Sequence, residues 1–222
     1  MVLLHLLLQA QRQIGFSLGV VHINHQLREE SAEEAAYLRS YCEKKNLPLY
    51  VSVWEDPAKT AIETAARNFR YQAFTRVMEE EQYDTLMTAH HGDDQIETVL
   101  MKIIRGGQLS TFSGIKEVQP FATGRLVRPL LSFSKEELYA YAAESQLVYF
   151  EDQTNQLLDV QRNRLRHLVV PQLKQENTQV MRHFQQFSQQ IQWADQVIQK
   201  CMGQLIEKEV EQLKDRFQFS AE

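Results

Sequence analysis

Apolar, β-branched segments alternate with amphipathic segments in the first half of the chain, and this order restricts the fold more than any other feature. The spacing predicts strands over 16–24, 47–54 and 85–89, and helices over 1–13, 31–45, 60–81 and 93–105. Strands and helices joined by short connections are typical of a parallel sheet covered on both faces. We therefore expect an α/β fold with a doubly wound parallel sheet.

Composition excludes several classes of protein. The chain has 222 residues, 43% of them hydrophobic, which argues against disorder. Its net charge of −5 excludes a wholly basic nucleic-acid coat but allows a local basic patch. No stretch has the ~18 consecutive apolar residues of a membrane span, so we expect no membrane partner. Cys42 and Cys201 form no C-x-x-C motif, which favours buried thiols in a reducing cytoplasm over a zinc or iron–sulfur site.

Polar residues follow the predicted strands at their carboxyl ends, where ligands bind in parallel sheets. His22, Asn24 and His25 end the first strand, and His90 to Asp94 follow the third. A histidine beside a strand is more often only packed there, so His22 and Asn24 are the weaker candidates. We expect a ligand site at this edge.

The segment T-A-H-H-G-D-D-Q-I-E-T, residues 88–98, carries the strongest chemical signal. Asp94 and Glu97 are three residues apart, so their carboxylates share one helix face near the sheet edge. Such oxygen ligands suit Mg²⁺. The alternative is that Asp93 and Asp94 only cap the helix and interact with its dipole. The adjacent His90 and His91 favour a site, because both cannot face the core.

Arginines form a second set of candidates. Arg67 and Arg70 are three residues apart, and Glu63 precedes Arg67 by four. This spacing fits either an exposed ion pair, which contributes little, or a guanidinium fork for phosphate. Five more arginines occur in two short stretches and suggest phosphate contact or a solvated face. They are Arg125, Arg128, Arg162, Arg164 and Arg166.

The second half of the chain has a different pattern. A loop is predicted over 108–124, an extended segment over 125–131, a capped helix from Ser134 and another helix over 160–174. From Val180 an apolar stripe with heptad-like spacing continues to Phe217, which predicts one long helix that cannot bury its stripe alone. This helix would begin a second domain or connect to one, and its stripe also suits a homodimer.

Several motifs occur in one continuous order. They are V-H-I-N-H-Q-L-R, E-T-A-A-R-N-F-R-Y-Q-A-F, T-A-H-H-G-D-D-Q-I-E-T-V-L-M-K-I-I-R-G, R-L-V-R-P-L-L, E-D-Q-T-N and R-N-R-L-R-H-L-V-V-P-Q-L. Together they resemble the bacterial tRNA(Ile)-lysidine synthases of the N-type ATP pyrophosphatase, or PP-loop, superfamily. The resemblance covers residues 1–175 and implies an adenine nucleotide α-hydrolase-like fold. Residues 176–222 then resemble the family's connector helix towards C-terminal tRNA-binding domains.

The resemblance implies a ligase reaction. ATP and Mg²⁺ would adenylate C2 of the wobble cytidine in tRNA(Ile) with a CAU anticodon, and L-lysine would displace AMP to form lysidine. Asp94 and Glu97 stand at the family's metal and lysine carboxylates, with His90 beside them. The resemblance implies nucleotide contacts for Arg67, Arg70, His22 and Asn24. It implies contacts to tRNA or phosphate for Arg128, Arg162, Asn163 and Arg166. Asn155 is the last residue of the D-x-[ST]-N turn.

One departure from the family concerns its defining S-G-G-x-D-S loop, which binds pyrophosphate at a helix N-terminus. The chain starts at a segment resembling the helix after that loop, so the first strand and the loop are missing. We expect a sequence shortened at both ends, poor ATP binding and no turnover; a natural loop-less variant is the alternative. A PP-loop tRNA thiolase and a non-catalytic nucleotide- or RNA-binding module remain competing functions.

Overall fold

The structure is a computed structural model that describes residues 1–25, 31–54, 62–151, 156–213 and 216–219. Its contacts form two compact units. The first comprises Met1–His90 and Glu117–Gln153, and the second comprises His91–Lys116 and Thr154–Glu222. The helix after His91 and the segment before residue 176 group with the long helix in this division, and the domain boundary near residue 175 stays a prediction.

The first unit contains the parallel strands that the alternating pattern predicts. Its elements are α1 (Val2–Ile14), β1 (Val20–Asn24), α2 (Ser31–Lys45), β2 (Leu49–Val53), α3 (Ile62–Glu80), β3 (Thr85–Met87), β4 (Val118–Phe121), β5 (Gly124–Val127) and α5 (Lys135–Glu144). Strand β1 pairs with β2 in parallel, and β3 pairs with β5 in parallel. Strand β4 adds to β5 in antiparallel orientation. The strands thus form two sheets, in the orders β1-β2 and β3-β5-β4.

Apolar side chains from α3 and the second sheet form the core of this unit. Phe74 and Met78 of α3 pack with Leu86 and Leu126, of which Leu126 is fully buried. The sheet requires glycine at position 124, because a Cβ there would lie 1.9 Å from the carbonyl oxygen of Asp84.

Helix α5 begins as its capping box predicts. The Ser134 hydroxyl accepts a hydrogen bond from the Glu137 amide at 3.1 Å, and the Glu137 carboxylate accepts one from the Ser134 amide at 2.7 Å. The first two residues of the helix predicted over 60–81 lie outside the described residues, which resume at Ile62.

Helix α1 differs from its prediction. Its apolar sequence, Met1 to Leu8, predicts a buried helix, but none of the residues of α1 is buried. The reason is an open cavity along its apolar side, which Leu4 and Leu7 line. The prediction of a helix is right, and the prediction of its burial is wrong.

The second unit is mainly helical. It contains α4 (Gly92–Arg105), a 3₁₀ turn (Leu109–Ser113), α6 (Gln161–Arg164), a π-helical turn (Leu165–Val169), α7 (Val170–Glu176), α8 (Val180–Glu209), β6 (Val210–Leu213) and β7 (Arg216–Phe219). The predicted helix over 160–174 is therefore present with a π-helical turn inside it. Pro171 follows that turn and has no N–H to donate, which favours a local change of helical hydrogen bonding.

The long helix ends earlier than predicted. Helix α8 stops at Glu209, and β6 and β7 then pair as an antiparallel hairpin. Ser188 is buried against the rest of the unit, whereas Trp193, Val197 and Leu205 are exposed. The homodimer that the stripe suggested stays a prediction.

Cysteine burial was predicted correctly at one position of two. Cys42 is buried in α2, but Cys201 is exposed on α8. Both are free thiols. Among the described residues, no helix combines the length and the apolar composition needed to cross a bilayer.

Candidate active site

The amino end of α4 positions the acidic motif. His91 precedes the helix in extended conformation, and its backbone N–H donates to Oδ2 of Asp94 at 3.0 Å. This bond satisfies a backbone group at the helix terminus. Asp94 therefore does cap the helix, as the simpler interpretation of the motif expects. That role uses only one of its two carboxylate oxygens.

Two arginines from the region around α6 meet the carboxylates of α4. Arg162 donates from Nη2 to Oδ1 of Asp94 at 2.8 Å and from Nε to Oε2 of Glu97 at 2.6 Å. Arg166 donates from Nε to Oε1 of Glu97 at 2.7 Å and from Nη2 to Oε2 at 3.0 Å. We call these four side chains the carboxylate–arginine network. It joins four residues that the sequence analysis selected separately.

The carboxylates of this network are more deeply buried than its arginines. The Glu97 side chain is fully buried, and that of Asp94 is 12% exposed. The side chains of Arg162 and Arg166 are 32% and 20% exposed. Burial by itself lowers the pKa of Arg166, but the hydrogen bonds and charge of Glu97, with the charges of Asp94 and Asp93, outweigh it and raise that pKa above its ordinary value.

The arrangement does not fit a magnesium ion held by Asp94 and Glu97. All four of their carboxylate oxygens accept hydrogen bonds from the protein. Most of these oxygens keep a second lone pair, but a Mg²⁺ ion beside them would be repelled by the positive charges of Arg162 and Arg166. Among the described residues, no cluster of three His, Cys, Asp or Glu side chains could hold a metal. The magnesium assignment stays a prediction.

A third ion pair borders the network. Lys174 of α7 pairs with Asp93, the neighbour of Asp94. The sequence analysis missed Lys174, although its position on the same predicted helix as Arg162 and Arg166 was the available signal. Three carboxylates and three cations therefore meet in this part of the second unit.

Asn163 and Arg164 have local structural contacts instead. The buried Asn163 donates from Nδ2 to the carbonyl oxygen of Leu157 at 2.8 Å. Arg164 donates to the carbonyl oxygens of Leu158 and Asp159, each at 2.8 Å. These bonds hold the segment that precedes α6 and thereby fix the start of α6, which carries Arg162. The predicted phosphate contact of Asn163 stays a prediction.

Gln95 is a second residue that the sequence analysis missed. It is buried and donates from Nε2 to the Ser188 hydroxyl at 2.5 Å, while its Oε1 accepts from the Ile115 amide at 2.6 Å. It thereby links α4 to α8 and to the loop after the 3₁₀ turn. A glutamine between Asp94 and Ile96 gives no distinctive signal, because its partners are distant in sequence.

The remaining candidates belong to the first unit. Arg128 is buried and donates from Nη1 to Oε1 of Gln119 at 3.3 Å. Burial lowers the pKa of Arg128 and the charge of Arg67 lowers it further, while the charge of Tyr71 and the hydrogen bond that Arg128 donates to Tyr71 raise it. The guanidinium of Arg67 lies 4.8 Å from the centre of the Tyr71 ring. Arg67 and Arg128 thus share Tyr71 as a neighbour. Glu63, the partner considered for Arg67, has no described side chain.

Polar residues at the strand ends are placed as expected, at the end of β1 and after β3. The pKa values of His22 and His25 are lowered, in both cases chiefly by burial. Asn24 accepts a backbone hydrogen bond from Trp54 at 2.9 Å, and His90 Nδ1 lies 2.9 Å from the Thr88 hydroxyl. Burial also lowers the pKa of Arg70. Asn155 lies outside the described residues.

Known proteins resemble this chain over most of its length. The PP-loop domain family matches residues 1–173. A tRNA(Ile)-lysidine synthase from Enterococcus faecalis is 50% identical over 215 residues, which is 96% of this chain and 46% of the relative. A tRNA(Ile)-lysidine synthase from Lactiplantibacillus plantarum is 50% identical over 193 residues, or 86% of this chain and 43% of the relative.

A solved structure supports the same fold. A U34-tRNA thiolase from Methanococcus maripaludis with its [4Fe-4S] cluster superposes with a TM-score of 0.72 at 17% identity, over 86% of this chain and 67% of that one. That identity shows a common fold only. The predicted adenine nucleotide α-hydrolase-like α/β fold is confirmed, and the chain spans about half the length of the curated relatives it matches. From the match over residues 1–173, the chain belongs to the PP-loop domain family.

Proposed function

We propose that this chain provides the ATP-using part of a tRNA(Ile)-lysidine synthase. In the proposed reaction, ATP adenylates C2 of the wobble cytidine of tRNA(Ile) with a CAU anticodon, releasing pyrophosphate. The amine of L-lysine then displaces AMP to give lysidine. The observation that carries the proposal is the 50% identity to such enzymes over 215 residues. A cytoplasmic location stays a prediction.

The arginines of the network suit an anionic substrate. A guanidinium has five N–H donors, and the bonds of Arg162 to the carboxylates use Nε and Nη2. About a third of its side chain is exposed. Phosphate groups accept such donors in bidentate geometry. We assign Arg162 and Arg166 to contacts with pyrophosphate or tRNA phosphate.

The carboxylates of the network suit a cationic substrate. Asp94 and Glu97 already hold two N–H-bearing cations in charge-assisted hydrogen bonds. An ammonium group of L-lysine presents the same kind of donor. Asp94 is the more accessible of the two carboxylates, with 12% of its side chain exposed against none for Glu97. We therefore assign lysine contact to Asp94 and the fixing of the arginines to Glu97.

A chimera tests the proposal. The 215 matching residues of the Enterococcus faecalis relative would be replaced by those of this chain. The chimera is expected to form AMP and lysidine only when ATP, lysine and tRNA(Ile) are all present. tRNA binding without AMP release would favour a non-catalytic module, and sulfur incorporation would favour a thiolase; either result overturns the proposal.

Matched variants of the chimera test the residue assignment. Asp94→Asn is expected to abolish lysine-dependent AMP release, because the amide removes the negative charge that would hold lysine. Asp159→Asn changes an exposed aspartate of the same unit and is the control for the same chemical change. Equal activity of the two variants would refute the role of Asp94.

A further inference from the structure

A helical turn of unusual geometry lies between α6 and α7, the two helices that bring cations to the acidic end of α4. The turn, Leu165–Val169, is π-helical, and the Val170 amide donates to the Leu165 carbonyl, five residues back. In an α-helix the acceptor would be the carbonyl of Arg166, four residues back. Single π-helical turns of this kind occur inside α-helices and are frequent at functional sites. The turn therefore changes which residues of α7 face α4.

The π-helical turn determines the direction of the Lys174 side chain. Lys174 follows Arg162 by twelve residues. In a continuous α-helix this spacing would separate the two side chains by about 120° around the axis. The π-helical turn takes up one residue, so about eleven α-helical steps remain, close to three full turns, and the side chains differ by about 20°. Lys174 consequently pairs with Asp93. Arg162 binds Asp94, the next residue of α4.

Asp93 requires a cation because its side chain is nearly buried. That side chain is 9% exposed, and Lys174 contacts its Oδ1. His91 Nδ1 lies 3.8 Å from its Oδ2, which is too long for a hydrogen bond. A carboxylate removed from water is costly unless a charged partner balances it. Loss of the lysine would therefore leave Asp93 to compete for another cation of the cluster.

Arg166 is a cation for which Asp93 would compete. Burial lowers the pKa of Arg166, but neighbouring carboxylates, Asp93 among them, raise it above its ordinary value, so Asp93 and Arg166 already interact. Arg166 also approaches Asp94, with Nη2 3.5 Å from Oδ1, in addition to its two bonds to Glu97. A guanidinium with five donors can change partners within one cluster of carboxylates. An unbalanced Asp93 would draw Arg166 away from Glu97.

We propose that Lys174 is a positioning residue, which neutralises Asp93 and thereby keeps Arg166 on Glu97. The π-helical turn is the structural device that brings Lys174 to Asp93. Without Lys174, the guanidinium of Arg166 turns towards Asp93 and is no longer presented to an anionic substrate. Arg166 is assigned above to pyrophosphate or tRNA phosphate, so the consequence for catalysis rests on the proposed function, whereas the positioning itself does not.

Hydrogen exchange of the Arg166 side chain tests the positioning in the full chain. Its Nε–H group donates to the fully buried Glu97 at 2.7 Å, so this proton should exchange slowly with water. NMR of protein with ¹⁵N-labelled arginine measures the rate, and the Arg166→Lys variant identifies the signal. In Lys174→Gln we expect exchange to be at least about tenfold faster, because Arg166 leaves Glu97 for part of the time. An unchanged rate would overturn the proposal.

Two double variants separate the charge of Lys174 from its placement. Lys174→Gln/Asp93→Asn also removes the unbalanced carboxylate and is expected to restore slow exchange of Arg166. Lys174→Gln/Gln175→Lys keeps composition and net charge but moves the ammonium group about 100° around α7, to an exposed position, and should exchange as fast as Lys174→Gln. Fast exchange in the first double variant, or slow exchange in the second, would contradict the positioning role. Circular dichroism confirms that each variant is folded before rates are compared.

The chimera described above connects the positioning with activity. In it, Lys174→Gln should raise the KM for ATP or for tRNA(Ile) about tenfold, whichever anion Arg166 contacts, and leave the KM for lysine within about twofold. Unchanged KM values for both anionic substrates, or an equal rise for lysine, would overturn the catalytic part of the proposal. If the unaltered chimera is inactive while Arg166 exchange responds as expected, the proposed function fails and the positioning role stands.

Discussion

Replacing Glu97 by glutamine removes a single charge from the centre of the carboxylate–arginine network. The side chain is fully buried and accepts three hydrogen bonds from Arg162 and Arg166, at 2.6, 2.7 and 3.0 Å. Glutamine keeps one acceptor oxygen but turns an N–H group towards two cations. Breaking a buried ion pair on one side costs about 3–5 kcal/mol, because the remaining charge stays desolvated.

Partial exposure of the arginines reduces that cost. Their side chains are 32% and 20% exposed, so water recovers part of the lost interaction. We expect the free energy of unfolding to fall by about 2–4 kcal/mol. For a chain of this size each kcal/mol corresponds to a decrease in Tm of about 2–4 °C. The change is therefore a substantial fraction of the total stability of an ordinary domain, about 5–15 kcal/mol.

Urea unfolding, followed by circular dichroism and tryptophan fluorescence, measures this loss. Glu80→Gln is the matched control, because Glu80 is exposed on α3 and its replacement should change stability by less than about 0.5 kcal/mol. A loss for Glu97→Gln that is no larger than that of the control would refute the reasoning, since it would mean that the buried carboxylate is not required to balance the arginines.

Further predictions concern pH, backbone packing and nucleic-acid binding. Burial lowers the pKa of His22 and His25 from 6.5, so the unfolded chain takes up protons before the folded chain does as the pH falls below about 6.5. The free energy of unfolding should therefore decrease from pH 7 to pH 5. This decrease should be less steep in the variant His22→Gln. Gly124→Ala should lower the free energy of unfolding by about 1–3 kcal/mol, because the new Cβ meets the Asp84 carbonyl. Gly203→Ala lies within the exposed helix α8, where a Cβ would have no neighbouring atom within 4 Å, and should raise the free energy of unfolding by about 0.5–1 kcal/mol. Thermal unfolding of both variants checks this. In the chimera, Arg166→Ala should weaken tRNA binding and lower its salt dependence by about one charge, and an unchanged salt slope would exclude a phosphate contact.

The order of strands and helices was predictable because it depends on local periodicity. The helices that became α3 and α4 and the strands that became β1 and β2 follow directly from the spacing of their apolar residues. The end of the long helix was not predictable in this way. Its stripe continues to Phe217, yet the residues after Glu209 form a hairpin, which shows that helical spacing alone does not exclude a strand.

The site was predictable in its members and not in their pairing. Asp94 and Glu97 share a helix face through their spacing of three residues, which is a local property. Their bonds to Arg162 and Arg166 span 65 to 69 residues, and no local rule specifies such partners. The same holds for Gln95, whose buried amide reaches Ser188. Sequence periodicity thus selects residues that can carry charge at a site, and tertiary packing decides which charges neutralise each other.

The pairing changes how a loss of activity should be interpreted. Asp94→Asn removes a proposed lysine contact, but it also removes one acceptor of Arg162, so lost activity alone does not separate recognition from misplacement of the arginine. The double variant Asp94→Asn/Arg162→Gln separates them, because it removes the unbalanced cation together with the carboxylate. If Asp94 acts only by holding Arg162, the two changes should be strongly non-additive in both stability and AMP release. Because Arg162 is itself assigned to phosphate, AMP release is compared between the single variants. If Asp94 contacts lysine, Asp94→Asn should lose more lysine-dependent AMP release than Arg162→Gln does, whereas a carboxylate that only holds Arg162 should cause no greater loss. A KM for lysine unchanged in every variant that still turns over would exclude that contact.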